Sequence, residues 1–116
     1  MTRLTFTSAA ISAALALTLI SNQGAQAQTF MGVGGFPCGK FVASAGSADA
    51  RSMEITQWLL GYVSGLNMLW KGVKGTDRLI NIESEKVPIY VLRYCEANPD
   101  RTVLNGVNDY FFSLPK

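Results

Sequence analysis

The sequence predicts an all-α fold, a small single-domain bundle of about four helices closed by one disulfide. Apolar residues recur at steps of three and four along several segments, which is the spacing of one helix face. No segment alternates apolar and polar residues in the way of a half-buried strand. The two cysteines lie far apart in the chain, as one cross-link between distant helices requires.

Residues 1–27 have the features of a cleaved secretory signal. Arg3 supplies the positive start, residues 9–20 form an uncharged and mainly apolar run, and Ala25-Gln26-Ala27 is a small-x-small cleavage site. The run is too short to span a bilayer, and no later segment reaches about 18 continuous apolar residues. A buried N-terminal helix is the alternative. We predict export to the periplasm, a mature chain beginning at Gln28, and no stable membrane insertion.

The composition excludes several classes of function. The chain has ten Lys and Arg, eight Asp and Glu, and no histidine. The basic residues form no run or stripe, so nucleic acid is not expected as a partner. Without histidine there is no imidazole metal site, no histidine general base and no histidine pH switch.

Cys38 and Cys95 both lie in the part expected to be exported. In an oxidising compartment an even pair in a small domain is most simply a disulfide. It would close a loop of nearly sixty residues, which is worth about 4 kcal/mol on the chain-entropy model. The alternative is two free thiols or half a metal site, for which the chain offers no further cysteine or histidine.

The helical domain is predicted to span residues 38–116, after a flexible glycine-rich leader at residues 28–37. Glycines 32, 34 and 35 are not a phosphate loop, because no strand precedes them and no Gly-Lys-Ser/Thr follows. A short helix over Cys38–Ala45 comes next and turns Phe41 inward.

The longest helix is expected from about Arg51 to Gly72, with Asp49 or Ser52 as its N-cap. Gly72 and Gly75 are expected to end it. Its predicted inner face is a stripe at helical spacing: Ile55, Leu59, Tyr62, Leu66, Leu69 and Val73.

The other side of this helix carries Met53, Leu60 and Met68, three apolar side chains that would be exposed in a monomer. Gly61 and Gly65 lie within the helix and are expected to allow another backbone to approach closely. We hypothesise that these five residues form a contact face for a homodimer or another protein. The alternative is that the first or the last helix of the same chain covers them.

Two further helices follow a short turn or half-helix over residues 76–83. Ser84 is the expected N-cap of a third helix, Glu85–Ala97. Asn98 is the expected N-cap of the last helix, with Pro99 at its first position. The inward stripe of that last helix consists of Val103, Val107, Tyr110, Phe111 and Leu114.

No catalytic constellation is evident, so we predict no enzyme, no cofactor and no metal. Without histidine, a serine or cysteine nucleophile would need a lysine or carboxylate base, and the carboxylates are scattered over caps and exposed faces. Trp58, Tyr62 and Trp70 could line a ligand slot, although aromatic residues at helical spacing more often belong to a core.

Several motifs resemble the HdeA/HdeB family of periplasmic acid-stress proteins. They are Cys38-x-x-Phe41, Trp58-Leu-x-Gly61-Tyr62 and Tyr94-Cys95-Glu-Ala-Asn98-Pro99 before an apolar helix. The resemblance implies a small helical protein with a disulfide between the first helix and a later one. It also implies a chaperone that loses its dimeric fold in acid and then holds unfolding proteins on apolar surface.

The stretch Gly61-Tyr62-x-x-Gly65 departs from that family. It is similar to the Gly-Tyr-x-x-Gly of periplasmic immunity proteins that neutralise type VI secretion amidases, although those tend to have more cysteines. The resemblance implies an alternative function, the inhibition of one secreted cell-wall amidase. In both cases the expected partners are proteins.

Overall fold

Four α-helices build the part of the chain that the computed structural model describes, residues 31–45 and 49–116. They are α1 (Cys38–Ser44), α2 (Ala50–Lys74), α3 (Lys86–Ala97) and α4 (Val103–Ser113). Those residues contain no β-strand, only an isolated bridge between Pro37 and Thr102. The all-α prediction is therefore confirmed. The predicted signal, residues 1–27, lies outside the described residues.

Local signals set both ends of the long helix α2. The Asp49 carboxylate accepts a hydrogen bond of 2.8 Å from the Ser52 N–H, as expected of an N-cap. At the other end Gly75 adopts a left-handed φ of 75°, and its N–H bonds to the Lys71 carbonyl. Gly72 continues the helix, so Gly75 alone is the terminating glycine.

The core lies where α2, α3 and α4 meet. Its fully buried members include Ile55 and Leu59 of α2, Val91 of α3, and Val107 and Phe111 of α4. In α4 the predicted stripe is confirmed, since all of it is buried except the half-buried Leu114. The buried side chains therefore recur at the helical spacing that is visible in the sequence.

Cys38 and Cys95 form the predicted disulfide, with their Cα atoms 4.7 Å apart and both side chains fully buried. The bond joins the first residue of α1 to the last turn of α3. Backbone hydrogen bonds support the junction, because the Cys38 N–H donates to the Arg101 carbonyl and the Val103 N–H donates to the Phe36 carbonyl. The amino end of α1 is thus fixed by both covalent and hydrogen bonds.

Two of the predicted caps are wrong. Asn98 ends α3 by donating from its side-chain amide to the Tyr94 carbonyl. The cap of α4 is Thr102, which forms a reciprocal capping box with Asn105. That box satisfies two backbone groups together, and it moves the start of α4 to Val103. Ser84 does not cap α3, because the residue that precedes this helix is Glu85. The carbonyl of Ser84, and not its hydroxyl, accepts a hydrogen bond from the Val87 N–H.

The segment expected to be a leader joins the domain from Met31 onward. Residues Val33–Gly35 form a short 3₁₀ helix, and Val33 lies in the core. The Trp58 indole N–H donates to the Met31 carbonyl at 2.8 Å. Gly32 allows this contact, because it has a φ of 84° and a Cβ there would lie 2.6 Å from the indole. The apolar side chain of Val33 explains the docking, and the packed domain extends further toward the N-terminus than residue 38.

Close packing of Gly61 and Gly65 inside the domain is wrong, and the approach of a partner to these glycines stays a prediction. Both are exposed, and no described atom lies within 4 Å of a Cβ built on either. The close approach lies instead at Gly106, where a Cβ would stand 3.0 Å from side-chain atoms of both Val91 and Tyr94. The small residue on α4 lets α3 pack tightly, whereas the glycines of α2 face outward.

We expect Gly61→Ala and Gly65→Ala each to raise the free energy of unfolding by about 1 kcal/mol, because alanine removes the helix penalty of glycine at an open position. Gly106→Ala should instead gain nothing or destabilise, since its neighbours on α3 must move. Urea denaturation of the three variants measures the difference. Destabilisation by Gly61→Ala would show that the exposed face of α2 is covered in solution.

Candidate protein-binding surface

The carboxyl half of α2 exposes apolar residues whose spacing predicts a place in the core. Leu69 is 65% exposed and Val73 is 70% exposed. The buried residues of this helix are Ile55, Leu59 and Val63, all in its first fourteen residues. Beyond Val63 the neighbouring helices cover this side incompletely, so the assignment of Leu69 and Val73 to the core is wrong.

These side chains border an apolar cleft of about 230 Å³ between α2 and α4. Helix α4 contributes two lining residues, Phe112, which is 59% exposed, and the buried Phe111. We call it the α2–α4 cleft. Its complete lining is Leu66, Leu69, Trp70, Val73, Lys74, Phe111 and Phe112.

Aromatic contacts hold the cleft in shape. The Trp70 ring meets Phe111 edge-on at 6.1 Å and Phe112 at 6.3 Å between centroids. The Trp70 indole N–H donates to the Thr76 hydroxyl at 3.0 Å. Because the indole has its polar partner and both phenyl rings as neighbours, the cleft is preformed in the folded domain.

Arg78 is a buried cation next to this aromatic cluster. It is only 7% exposed, and its guanidinium carbon lies 4.6 Å from the centroid of Trp70 and 5.3 Å from that of Phe111. Its Nη2 donates to the carbonyls of Phe112 and Leu114. The described residues offer it no carboxylate within ion-pair distance, and its Nε has no hydrogen-bond partner. Rings and carbonyls therefore compensate this charge in place of an acid.

Asp77 fixes the turn that carries Arg78. Its carboxylate accepts from the Asn67 amide at 2.8 Å and from the Leu79 N–H at 3.1 Å, and Lys71 lies 3.7 Å away. The Asn67 carbonyl oxygen in turn accepts from the Arg78 N–H. The bond from Asn67, followed by the Leu79 N–H and the charge of Lys71, lowers the pKa of Asp77 against the opposing effect of burial.

Asp77→Asn should therefore lower the melting temperature at pH 7 and leave it almost unchanged in strong acid. The folded-state pKa of Asp77 lies below the ordinary aspartate value of 3.8, so its stabilisation is present above about pH 4 and disappears as the pH falls through the folded-state pKa. Melting curves between pH 7 and pH 2 test this, with the exposed Glu54→Gln as a control. A difference from wild type that stays constant with pH would contradict it.

The contact face expected from the sequence is open in the domain. Met53 is 65% exposed, Met68 is 75% exposed, and Gly61 and Gly65 face open space, whereas Leu60 is half-buried against the core. The alternative that a helix of the same chain covers the whole face is thus wrong for the two methionines. Contact of this face with a partner stays a prediction.

Trp58 and Tyr62 engage the protein's own chain. Their rings stack at 5.0 Å with an angle of 16° between planes. The Tyr62 hydroxyl donates to the Asn108 side chain, and the indole of Trp58 bonds to the leader. The aromatic pair consequently ties Met31 and α4 to α2.

Within residues 31–45 and 49–116, no three carboxylates or cysteines gather in a group that could hold a metal ion. No helix of the same region is long and apolar enough to cross a membrane. Comparison with models of protein families, with curated proteins and with solved structures finds no match. Evidence about the function therefore comes from the exposed surface of the described residues.

Proposed function

We propose that this chain is a non-enzymatic periplasmic protein of HdeA/HdeB type, which binds unfolding proteins in acid and keeps them from aggregating. The α2–α4 cleft is the observation that carries the proposal. It presents Leu69, Val73 and Phe112 side by side, each more than half exposed. Neighbouring exposed apolar side chains on a small helical domain are typical of protein-binding surfaces.

The size of this surface favours reversible binding. Complete burial of one side chain such as leucine, valine or phenylalanine is worth about 1.5–3 kcal/mol. Three side chains that are already partly covered supply only part of that each, and association costs at least about 4 kcal/mol. The folded domain should hence bind weakly, and tight holding of a client requires more apolar surface.

Acid supplies a route to that additional surface. Protonation of all eight Asp and Glu side chains in strong acid raises the net charge of the exported chain from about +1 to roughly +9 or +10. Protonation of Asp77 removes its bonds to Asn67 and Leu79 at the turn beside Arg78. Self-repulsion then loosens the helices around the cleft, while the disulfide keeps the chain compact enough to refold.

An aggregation assay tests the proposed function. Unrelated exported proteins are brought to about pH 2–3 with and without an equimolar amount of this protein, and light scattering is recorded during acidification and neutralisation. We expect scattering to fall in acid, with little effect at pH 7. Equal scattering with and without the protein at both pH values would contradict the chaperone proposal.

The second candidate is an inhibitor of a secreted cell-wall amidase. One observation favours it: the cleft is already formed in the folded domain and needs no acid to open. Stoichiometric inhibition of peptidoglycan cleavage at pH 7, together with no effect on aggregation in acid, would select this function over the chaperone.

A further inference from the structure

The α2–α4 cleft combines an apolar lining with positive charge. Lys74 is its only charged lining residue, and Arg78 lies against the Trp70 and Phe111 rings. The nearest described carboxylate in the adjoining turn, Asp77, is engaged by Asn67 and Lys71. No acid of the described chain therefore neutralises the cations at this cleft.

The dimensions indicate what kind of group enters. At about 230 Å³ the cleft is smaller than the sites of drug-sized molecules, which range over about 300–1,000 Å³. The lining residues of α2 run from Leu66 to Lys74, a distance of about 12 Å along the helix. That length matches apolar side chains one or two turns apart on a partner helix, the usual arrangement when a helix binds in a groove.

We propose that the α2–α4 cleft binds one apolar face of an amphipathic helix whose flanking residues are acidic. The inference rests on the proposed protein-binding role of the cleft and adds the chemistry of its partner. Apolar side chains would fill the space between Leu69, Val73 and Phe112. The carboxylates beside them would face the exposed Lys74, which has no ion-pair partner among the described residues.

Charge also favours this acidic partner over a second copy of the same chain. Two copies joined through this cleft would place the exposed Lys74 of both subunits at the interface, with no acid among the lining residues of either. Like charges brought together at an interface select against that pairing. A helix with acidic flanks meets no such repulsion.

Two synthetic helical peptides with identical leucine and phenylalanine faces test the proposal, one flanked by glutamates and the other by lysines. Isothermal titration at pH 7 measures their affinities for the full exported protein at low salt and at 0.5 M salt. We expect the acidic peptide to bind about fivefold more tightly at low salt, because the exposed Lys74 attracts its glutamates and repels the lysines of the other peptide. The preference should shrink at high salt, because salt screens exposed charges.

Three variants show which residues bind the peptides and which cause the preference for the acidic one. Lys74→Glu should remove the preference for the acidic peptide, and Leu69→Ser combined with Val73→Ser should abolish binding of both peptides. Met53→Ser, at the opposite end of α2, is the matched control and should bind like wild type. All these residues are exposed, so circular dichroism should show an unchanged fold.

Equal affinity for the two peptides at low salt would overturn the acidic partner and leave an apolar protein-binding cleft in place. Binding of neither peptide would overturn the helix proposal, and the aggregation assay would then decide the proposed function separately. Loss of binding in Met53→Ser comparable to the cleft variant would place the contact on another face.

Discussion

Replacing Cys95 with serine is expected to lower the free energy of unfolding by about 2–5 kcal/mol. The bond connects residues separated by 57 positions, and both cysteines are fully buried. Helix α1 has only seven residues, too few to form a stable helix alone. Without the disulfide the region before α2 depends on Phe41, Val33 and a few backbone hydrogen bonds. Guanidinium denaturation of wild type and variant at pH 7 measures the loss.

Cys38→Ser and the double variant are the controls for this result. Each single variant leaves one thiol in the core, so the double variant should lose about as much stability as either one. Protein purified without a reducing agent should contain no thiol that reacts with an alkylating reagent before reduction. Two reactive thiols, or unchanged denaturation of Cys95→Ser, would contradict a structural disulfide.

Phe111→Ala is expected to cost about 3–5 kcal/mol, the usual loss for a large buried aromatic side chain. Phe111 is 1% exposed and contacts Trp70, Phe112 and the Arg78 guanidinium. Its removal leaves a cavity in the core and takes away one of the two rings against which the buried cation packs. Thermal and urea denaturation at pH 7 provide the measurement.

Phe112→Ala is the matched control at the next position. This side chain is 59% exposed, so the loss should stay below about 1 kcal/mol, as for most surface substitutions. The same variant should nevertheless weaken binding at the cleft, because Phe112 forms part of its lining. Equal destabilisation by the two variants would contradict the division between core and cleft.

The sequence identified the helices because periodicity and local caps act over a few residues. The stripe of α4 and the Asp49 cap of α2 are confirmed on that basis. Periodicity shows which side chains share a face, but it does not show how far a neighbouring helix extends along that face. Leu69 and Val73 were assigned to the core for this reason, and their exposure is what creates the candidate surface.

Tertiary structure decides which glycine lies at a close helix crossing and which of two possible caps begins a helix. Gly61 and Gly65 have the spacing of a close helix contact, but the tight crossing involves Gly106 and two side chains of α3. Asn98-Pro99 and Thr102-x-x-Asn105 both have the composition of a helix start, and the second forms the reciprocal bonds.

Nothing in the sequence indicates that Arg78 is buried. It lies in residues 76–83, where the sequence predicts a turn or half-helix and the structure has a turn at residues 78–81. Its burial follows from contacts with Trp70 and Phe111, which come from two separate helices. A charged residue in a short turn is usually solvated, so only the three-dimensional arrangement identifies this one as buried.

Aggregation in acid, measured with matched surface variants, tests most directly whether the α2–α4 cleft is the protein-binding surface. Leu69→Ser with Val73→Ser changes the cleft, and Met53→Ser with Met68→Ser changes the other exposed face of the same helix. Serine stays uncharged at pH 2–3, so net charge is unaffected. We expect the cleft variant to lose most of the protection and the methionine variant to keep it. Full protection by the cleft variant, or greater loss in the methionine variant, would contradict the proposed surface.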